Sequence, residues 1–528
     1  MQNERRPESS AAPTAIPPES TLPPVARPAT FTLRSVLLYQ SCDRLSQWLI
    51  YFSVVFSPWA FGTTQAWSVA TMNLTAYLLG VLLLVKYFIR RVQGYQPPRW
   101  TPHPVQSPER ARNLHRLTGL LFGVTVLLLG YCLVAMLNAR STWQPAKQSF
   151  AYHEFFRWLP HSYDRTSSEP VFWNYLALAC AFWAVHDWLL GKTAGEDRAQ
   201  RRTDPARGES RLELLPARLR GLLWVLCLNG ALLGAEGIAQ RLSGSGKLLW
   251  LIEPRVNKDG LSQFGPYAYR SNAAQYFNLL WPVCLGFWWT LHRTGGFKRW
   301  MHHLLLPAGA IMAACPIIAT TRGGAMVAGG LIFLAASFLL LAPIYLPARP
   351  RHSALTAALT FGVLGIFFVT ALTLGYQLGW DALGGRMTEL ESGYELREAM
   401  YVTARTMAQE HPWWGTGPGT FNQMFQFYRS SPDEYWPAQL HNDWLETRIT
   451  FGGVGSALIA TALLLVLARW FLAGGIHGGR RFIGLVWLAL AGALLHARFD
   501  FPFQIYSIVL LFLVLCAVLF SLSRRGGD

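Results

Sequence analysis

Charge is scarce in this chain. Only 14% of its 528 residues are Asp, Glu, Lys or Arg, against roughly 25% in ordinary soluble domains. That deficit argues against a water-soluble surface over a conventional core. Cysteine is missing from the long loops. Of Cys42, Cys132, Cys180, Cys227, Cys284, Cys315 and Cys516, all but Cys42 fall inside apolar runs, so no disulfide framework and no paired metal-ligand spacing is implied. Residues 1–33 have no signal-peptide h-region, so the first apolar segment is expected to stay uncleaved. The glycine-rich stretch around Gly415 is not followed by Lys-Ser/Thr, which excludes a Walker P-loop. No internal repeat is present.

What the chain does have is apolar length. Hydrophobic residues make up 52% of it, and runs of about 18 or more recur from end to end, the signature of transmembrane helices. The expected fold is all-α and polytopic, with about twelve spans near 45–62, 66–89, 117–137, 171–190, 220–240, 272–292, 303–321, 324–345, 354–376, 449–472, 482–499 and 504–522. Residues 1–33, rich in Pro, Ala, Ser and Glu, read as a disordered cytoplasmic tail. Residues 34–528 read as one transmembrane domain. Its longest interruption, 377–448, is a large loop between the ninth and tenth spans.

The net charge of +17 would suggest nucleic acid in a soluble protein. In a membrane protein, basic residues instead accumulate in cytoplasmic loops, and no nucleic-acid partner is expected. With the N-terminus inside, about 30 of the 46 Lys and Arg fall in the cytoplasmic set and about 16 outside. That asymmetry supports both termini inside. The same parity puts Arg270, Arg322, the 377–448 loop and the Arg498–Asp500 corner on one outer face. Charges at a membrane edge are costly and tend to be functional.

Each polar motif has a plain reading beside a functional one. Arg322, in Thr-Thr-Arg-Gly-Gly, can snorkel to headgroups, or its guanidinium fork can grip a phosphate while the glycines let backbone approach closely. Arg270, Asn272, Gln275 and Asn278 open a span, where polar side chains either bond neighbouring helices or bind a ligand. Gly415, Gly417 and Gly419 read as a structural turn, with Trp413 and Trp414 at the interface. His441 stands at the start of a helix in Leu-His-Asn-Asp-Trp-Leu-Glu. It can take a proton near neutrality, with Asp443 or Glu446 as an orienting carboxylate. A zinc site from His411, His441 and Asp443 has no recognised spacing behind it. Arg498 and Asp500 read as a mutual pair stabilising their corner.

In order, these blocks are Pro58-Trp59-Ala60-Phe61-Gly62, Phe264-Gly265-Pro266-Tyr267 through Pro282, Thr321-Arg322-Gly323-Gly324, His411-Pro412 through Phe421, His441 through Gly455, and Asp500-Phe501-Pro502. Together they resemble the O-antigen ligase and polymerase superfamily of bacterial envelope glycosyltransferases, over roughly residues 45–522. The resemblance implies a multi-pass protein of the bacterial inner membrane with a periplasmic active site in the 377–448 loop. It implies an undecaprenyl-diphosphate-linked glycan as donor, and lipid A core or another glycan as acceptor, in a setting of membrane lipids. No metal or cofactor is expected. By resemblance, His441 corresponds to the family's essential His, and Arg322 and Arg270 to its diphosphate-binding arginines. Asn272, Asn442, Asp443, Glu446, Arg386 and Arg397 are expected to support them, and Arg405 stays unassigned. The alternatives are a polymerase of lipid-linked repeats, a protein O-oligosaccharyltransferase, and a lipid-linked sugar transporter. A transporter would favour inverted repeats and midplane sites, which this chain does not display.

Overall fold

The computed structural model describes residues 32–100, 108–202, 215–255, 257–294, 300–345, 354–388, 390–429, 438–472 and 480–523. The expected tail lies almost wholly outside these residues. In chain order the helices are α1 Leu33–Trp59, α2 Ala66–Val92, α3 Pro108–Leu137, α4 Arg165–Leu189, α5 Ala194–Arg202, α6 Ala217–Ser243, α7 Arg270–Thr294, α8 Leu305–Ile318, α9 Arg322–Tyr345, α10 Ala354–Met387, α11 Leu390–Glu410, α12 Phe421–Phe425, α13 Asp443–Leu472, α14 Arg480–His496 and α15 Tyr506–Leu522. A short antiparallel hairpin, β1 Ser141–Gln144 with β2 Ser149–Tyr152, is the only sheet among the described residues.

A helix lies at each of the twelve expected positions. Among the described residues, seven are long and apolar enough to cross a membrane: those in α2, α3, α6, α9, α10 and α13, and α8 with its preceding turn. Their outward faces carry Leu74, Leu84, Phe333, Ile366 and Leu464, all exposed. An apolar surface of that extent belongs against lipid. The chain is an integral membrane protein.

The bundle is organised around α7. Every residue from Ser271 to Leu291 is buried, as expected of a helix that meets protein on all sides. It packs against α6, α8, α9, α14 and α15. A second group joins α1, α2 and α4, with α3 and α13 alongside.

The expected 377–448 loop is largely helical. The ninth span does not stop at 376, because Leu383 extends the buried face of α10 and carries it on to Met387. Farther on, α11 and α12 build a small core of their own. Met400, Tyr401, Met407, Phe421, Phe425, Leu440 and Ile449 pack there with Tyr163 from the β-hairpin side.

The glycines of the 410–421 stretch are architectural. Gly415 and Gly452 both have positive φ, and a Cβ on either would sit 2.5 Å or less from the backbone of the other's segment. Gly452 breaks α13. The 412–417 segment docks at that break through Thr416 N to Ile449 O (2.9 Å), Gly417 N to Thr450 O (3.0 Å) and Gly453 N to Pro412 O (2.9 Å).

Candidate active site

Four segments meet at one end of the bundle: the start of α7, the turn between α8 and α9, the start of α13, and the corner between α14 and α15. His441 immediately precedes α13 and holds φ +57°, a left-handed conformation that costs a non-glycine residue roughly 1–2 kcal/mol. Its surroundings fix it there. Asn442 caps α13, its Oδ1 accepting from Leu445 N at 3.1 Å. Glu446 reaches back to accept from Leu440 N at 2.8 Å. The Tyr401 hydroxyl donates to the His441 carbonyl at 2.9 Å.

The imidazole of His441 meets a carboxylate. Its Nδ1 lies 3.0 Å from Asp500 Oδ1. An ionised carboxylate can only accept, so Nδ1 carries the hydrogen, and in the neutral ring Nε2 is the nitrogen with the lone pair. Asp500 is buried and also accepts from the Ser271 hydroxyl and from Phe501 N. Burial works against its charge, yet the hydrogen bond from His441 and the nearby imidazoles hold its carboxyl below the usual carboxylate range. Phe501 lies edge-on to the His441 ring at 4.9 Å and stacks on Tyr269. Burial, and then the Asp500 charge, push the Tyr269 hydroxyl well above its ordinary range. An imidazole oriented by a buried carboxylate and walled by aromatic rings is equipped to accept a proton.

This corrects two readings of the sequence. Neither Asp443 nor Glu446 orients His441. Asp443 faces the corner instead, accepting from Phe503 N at 2.7 Å and Gln504 Nε2 at 3.3 Å, while Glu446 holds Leu440. Nor do Arg498 and Asp500 form a pair: Asp500 points inward to His441 and Ser271, whereas Arg498 is exposed. Sequence reasoning missed Asp500 as a partner of His441. The available signal was a carboxylate in Asp-Phe-Pro, between two spans, on the side assigned to His441. The zinc grouping of His411, His441 and Asp443 does not assemble among the described residues.

The arginines gather at the same end. Arg270 opens α7 and reaches Thr320 Oγ1 at 3.3 Å, in the turn that leads to Arg322. Arg322 opens α9 and is half-buried. Gly324 lets this turn press onto α7: a Cβ there would sit 2.5 Å from Ala274 Cβ. Asn278 Nδ2 donates to Gly324 O at 3.0 Å, a helix-to-helix role. Arg397 donates to Phe499 O at 2.7 Å, and Arg386 closes α10. The charges of both are felt at Tyr269. Asn272 is buried in the first turn of α7, and its Oδ1 makes no hydrogen bond among the described residues. Beyond His441, a pocket of about 280 Å³ is lined by Tyr401, Arg405, Asn442, Trp444, Leu445, Arg448 and Arg498.

Residues 307–460 match the O-antigen ligase family. The match supports placing the chain in that family. It runs from α8 into α13 and takes in Arg322, Arg386, Arg397 and His441. Arg270, Ser271 and Asp500 lie outside it. No curated protein matches the chain. The matched region supports a ligase- or polymerase-type role in polysaccharide biosynthesis, with a lipid-linked glycan and an acceptor as partners in general.

Proposed function

We propose that this protein transfers a glycan from an undecaprenyl-diphosphate carrier to an acceptor hydroxyl at the periplasmic face of the bacterial inner membrane. The observation that carries the reading is the His441–Asp500 pair standing at the same bundle end as Arg270 and Arg322. The twelve helices are read as twelve crossings with both termini inside, and residues 34–528 as one transferase domain whose 377–448 region holds His441.

In this mechanism His441 Nε2 takes the proton of the acceptor hydroxyl. The oxygen attacks the anomeric carbon of the donor glycan. The bond from that carbon to the diphosphate oxygen breaks, and its electron pair leaves on undecaprenyl diphosphate. Asp500 stabilises the imidazolium that forms. Arg270 and Arg322 neutralise the charge that grows on the leaving diphosphate, a contribution felt most in the transition state. Arg386 and Arg397 add positive potential at the same edge, and Asn272 supplies a buried acceptor for the donor's hydroxyls. Asn442, Asp443 and Glu446 act indirectly, by fixing the start of α13. The acceptor enters from the pocket between α11 and α13, where Trp444 offers a ring for sugar packing and three arginines suit anionic groups.

The deciding experiment uses purified protein, carrier-linked glycan and acceptor. His441→Ala is expected to abolish transfer while the protein still accumulates in the membrane; normal transfer would sink the mechanism. A glycan that changes sides without changing its covalent attachment would point to transport. Glycan analysis of a deletion strain then identifies the acceptor. Carrier-linked polymer that accumulates without reaching lipid A core marks a ligase, and single unpolymerised repeats mark a polymerase.

A further inference from the structure

At the opposite end of α7, three histidines converge. His292 lies in the last turn of α7, and His302 and His303 lie in the turn that leads into α8. Each offers one ligand nitrogen, and these nitrogens all lie within 4.8 Å of one another. The closest contact is His302 Nε2 to His292 Nδ1, at 3.4 Å. That exceeds the usual range of roughly 2.7–3.2 Å for a hydrogen bond from nitrogen. It matches the spacing of about 3.3 Å between two imidazole nitrogens bound to one tetrahedral zinc.

We infer that His292, His302 and His303 form a binding site for a divalent transition metal of the zinc class. The supporting contacts favour it. His292 Nε2 lies 3.2 Å from Thr360 Oγ1 on α10. Donation to that hydroxyl leaves Nδ1 unprotonated and facing the site, the way outer contacts commonly set a ligand's tautomer. Trp288 stacks on the His292 ring at 5.1 Å and fixes its plane. His302 is buried and forms the floor, while His303 is exposed and leaves a way in for the ion and for water as a fourth ligand. A set made of imidazoles alone selects zinc, copper or nickel over magnesium or calcium. His292 stands 22 residues after Arg270, so the site is about 33 Å along the helix from the His441 end. Its work is structural: the ion would clamp the end of α7 to the start of α8 and, through Thr360, to α10.

The test uses tag-free, full-length protein in detergent, stripped by chelator and titrated with cobalt and zinc. About one ion per chain is expected, with the visible absorption of tetrahedral cobalt, and zinc is expected to raise the melting temperature. His302→Ala and His303→Ala are each expected to weaken binding roughly tenfold or more. His303 sits on the exposed rim, so its variant keeps the test open if loss of the buried His302 unfolds the chain. A wild-type chain that takes up no stoichiometric metal, as a plain aromatic cluster would not, overturns the inference. So does a His303→Ala chain that binds as tightly as wild type.

Discussion

Replacing Asp500 with Asn probes the proposed mechanism at its least obvious point. The substitution keeps shape and removes charge. A hydrogen bond to a charged group contributes about 1.5–3 kcal/mol, and at about 1.36 kcal/mol per factor of ten its loss lowers turnover by roughly 10- to 150-fold. Two further effects act in the same direction. The Asn amide can donate to His441 Nδ1 and hold the wrong tautomer, and the buried Ser271 hydroxyl and Phe501 N–H lose a charged acceptor. The loss should fall on kcat, because His441 and Asp500 act on the proton and not on the carrier's diphosphate. Single-turnover transfer of carrier-linked glycan, with membrane accumulation measured in parallel, reads this directly. Asp443→Asn is the control, since that carboxylate supports the corner and does not touch His441. Wild-type turnover in Asp500→Asn, or a larger kcat loss in Asp443→Asn at equal accumulation, would refute the assignment. The stability side has a fixed sign. The folded-state value of Asp500 is depressed, so its contribution is full above the unfolded carboxylate value of about 3.9 and is lost as the pH falls through the folded value.

Arg322→Lys replaces a fork with a point charge and is expected to cut transfer roughly tenfold or more; full activity would reduce Arg322 to a lipid anchor. Arg405→Ala lies on the open side of the pocket and is expected to raise the acceptor's KM several-fold with kcat held, as steady-state kinetics against acceptor concentration would show. Far from the site, Asp187 lies 2.8 Å from each of Lys86, Arg90 and Arg99, and Lys86 is 1% exposed. Asp187→Asn leaves the buried Lys86 with Asp43 alone, 3.2 Å away, at a cost of up to about 3–5 kcal/mol; thermal unfolding in detergent measures it, and an unchanged melting temperature would contradict the cost.

The sequence carried the long-range organisation of this fold because membrane helices announce themselves by length. Arg322 and His441 stand out in the sequence for a related reason. Each sits beside glycine or a helix start, between apolar runs, where a charge or an imidazole has no packing purpose. Asp500 was misread because an Arg two residues away offered a cheaper partner in one dimension. Only the turn of the α14–α15 corner shows that one side chain faces inward and the other faces out. The Asp187 network was hidden similarly: Asp43, Lys86, Asp187 and Arg218 come from four helices, and no local pattern links them. The 377–448 region looked like loop because α11 is polar on most of its surface. Its buried stripe of Met400, Ala404 and Met407 faces a small satellite core, not lipid.

That satellite core bears on how the pair is aligned. His441 and Asp500 belong to segments 59 residues apart, and one helix holds both from outside. Tyr401 of α11 bonds the carbonyl of His441, and Arg397, one turn earlier on the same helix, bonds the carbonyl of Phe499, next to Asp500. From within the bundle, Ser271 at the start of α7 grips the Asp500 carboxylate itself. The pair is therefore clamped between α7, buried from Ser271 to Leu291, and a helix of the satellite core. Shifting α11 would move both partners through their backbones without touching either side chain. The same helix forms one wall of the pocket assigned to the acceptor. Contact between acceptor and α11 is thus mechanically continuous with the alignment of His441 on Asp500, and loss of the Tyr401 hydroxyl in Tyr401→Phe is expected to lower kcat while leaving the pocket's arginines in place.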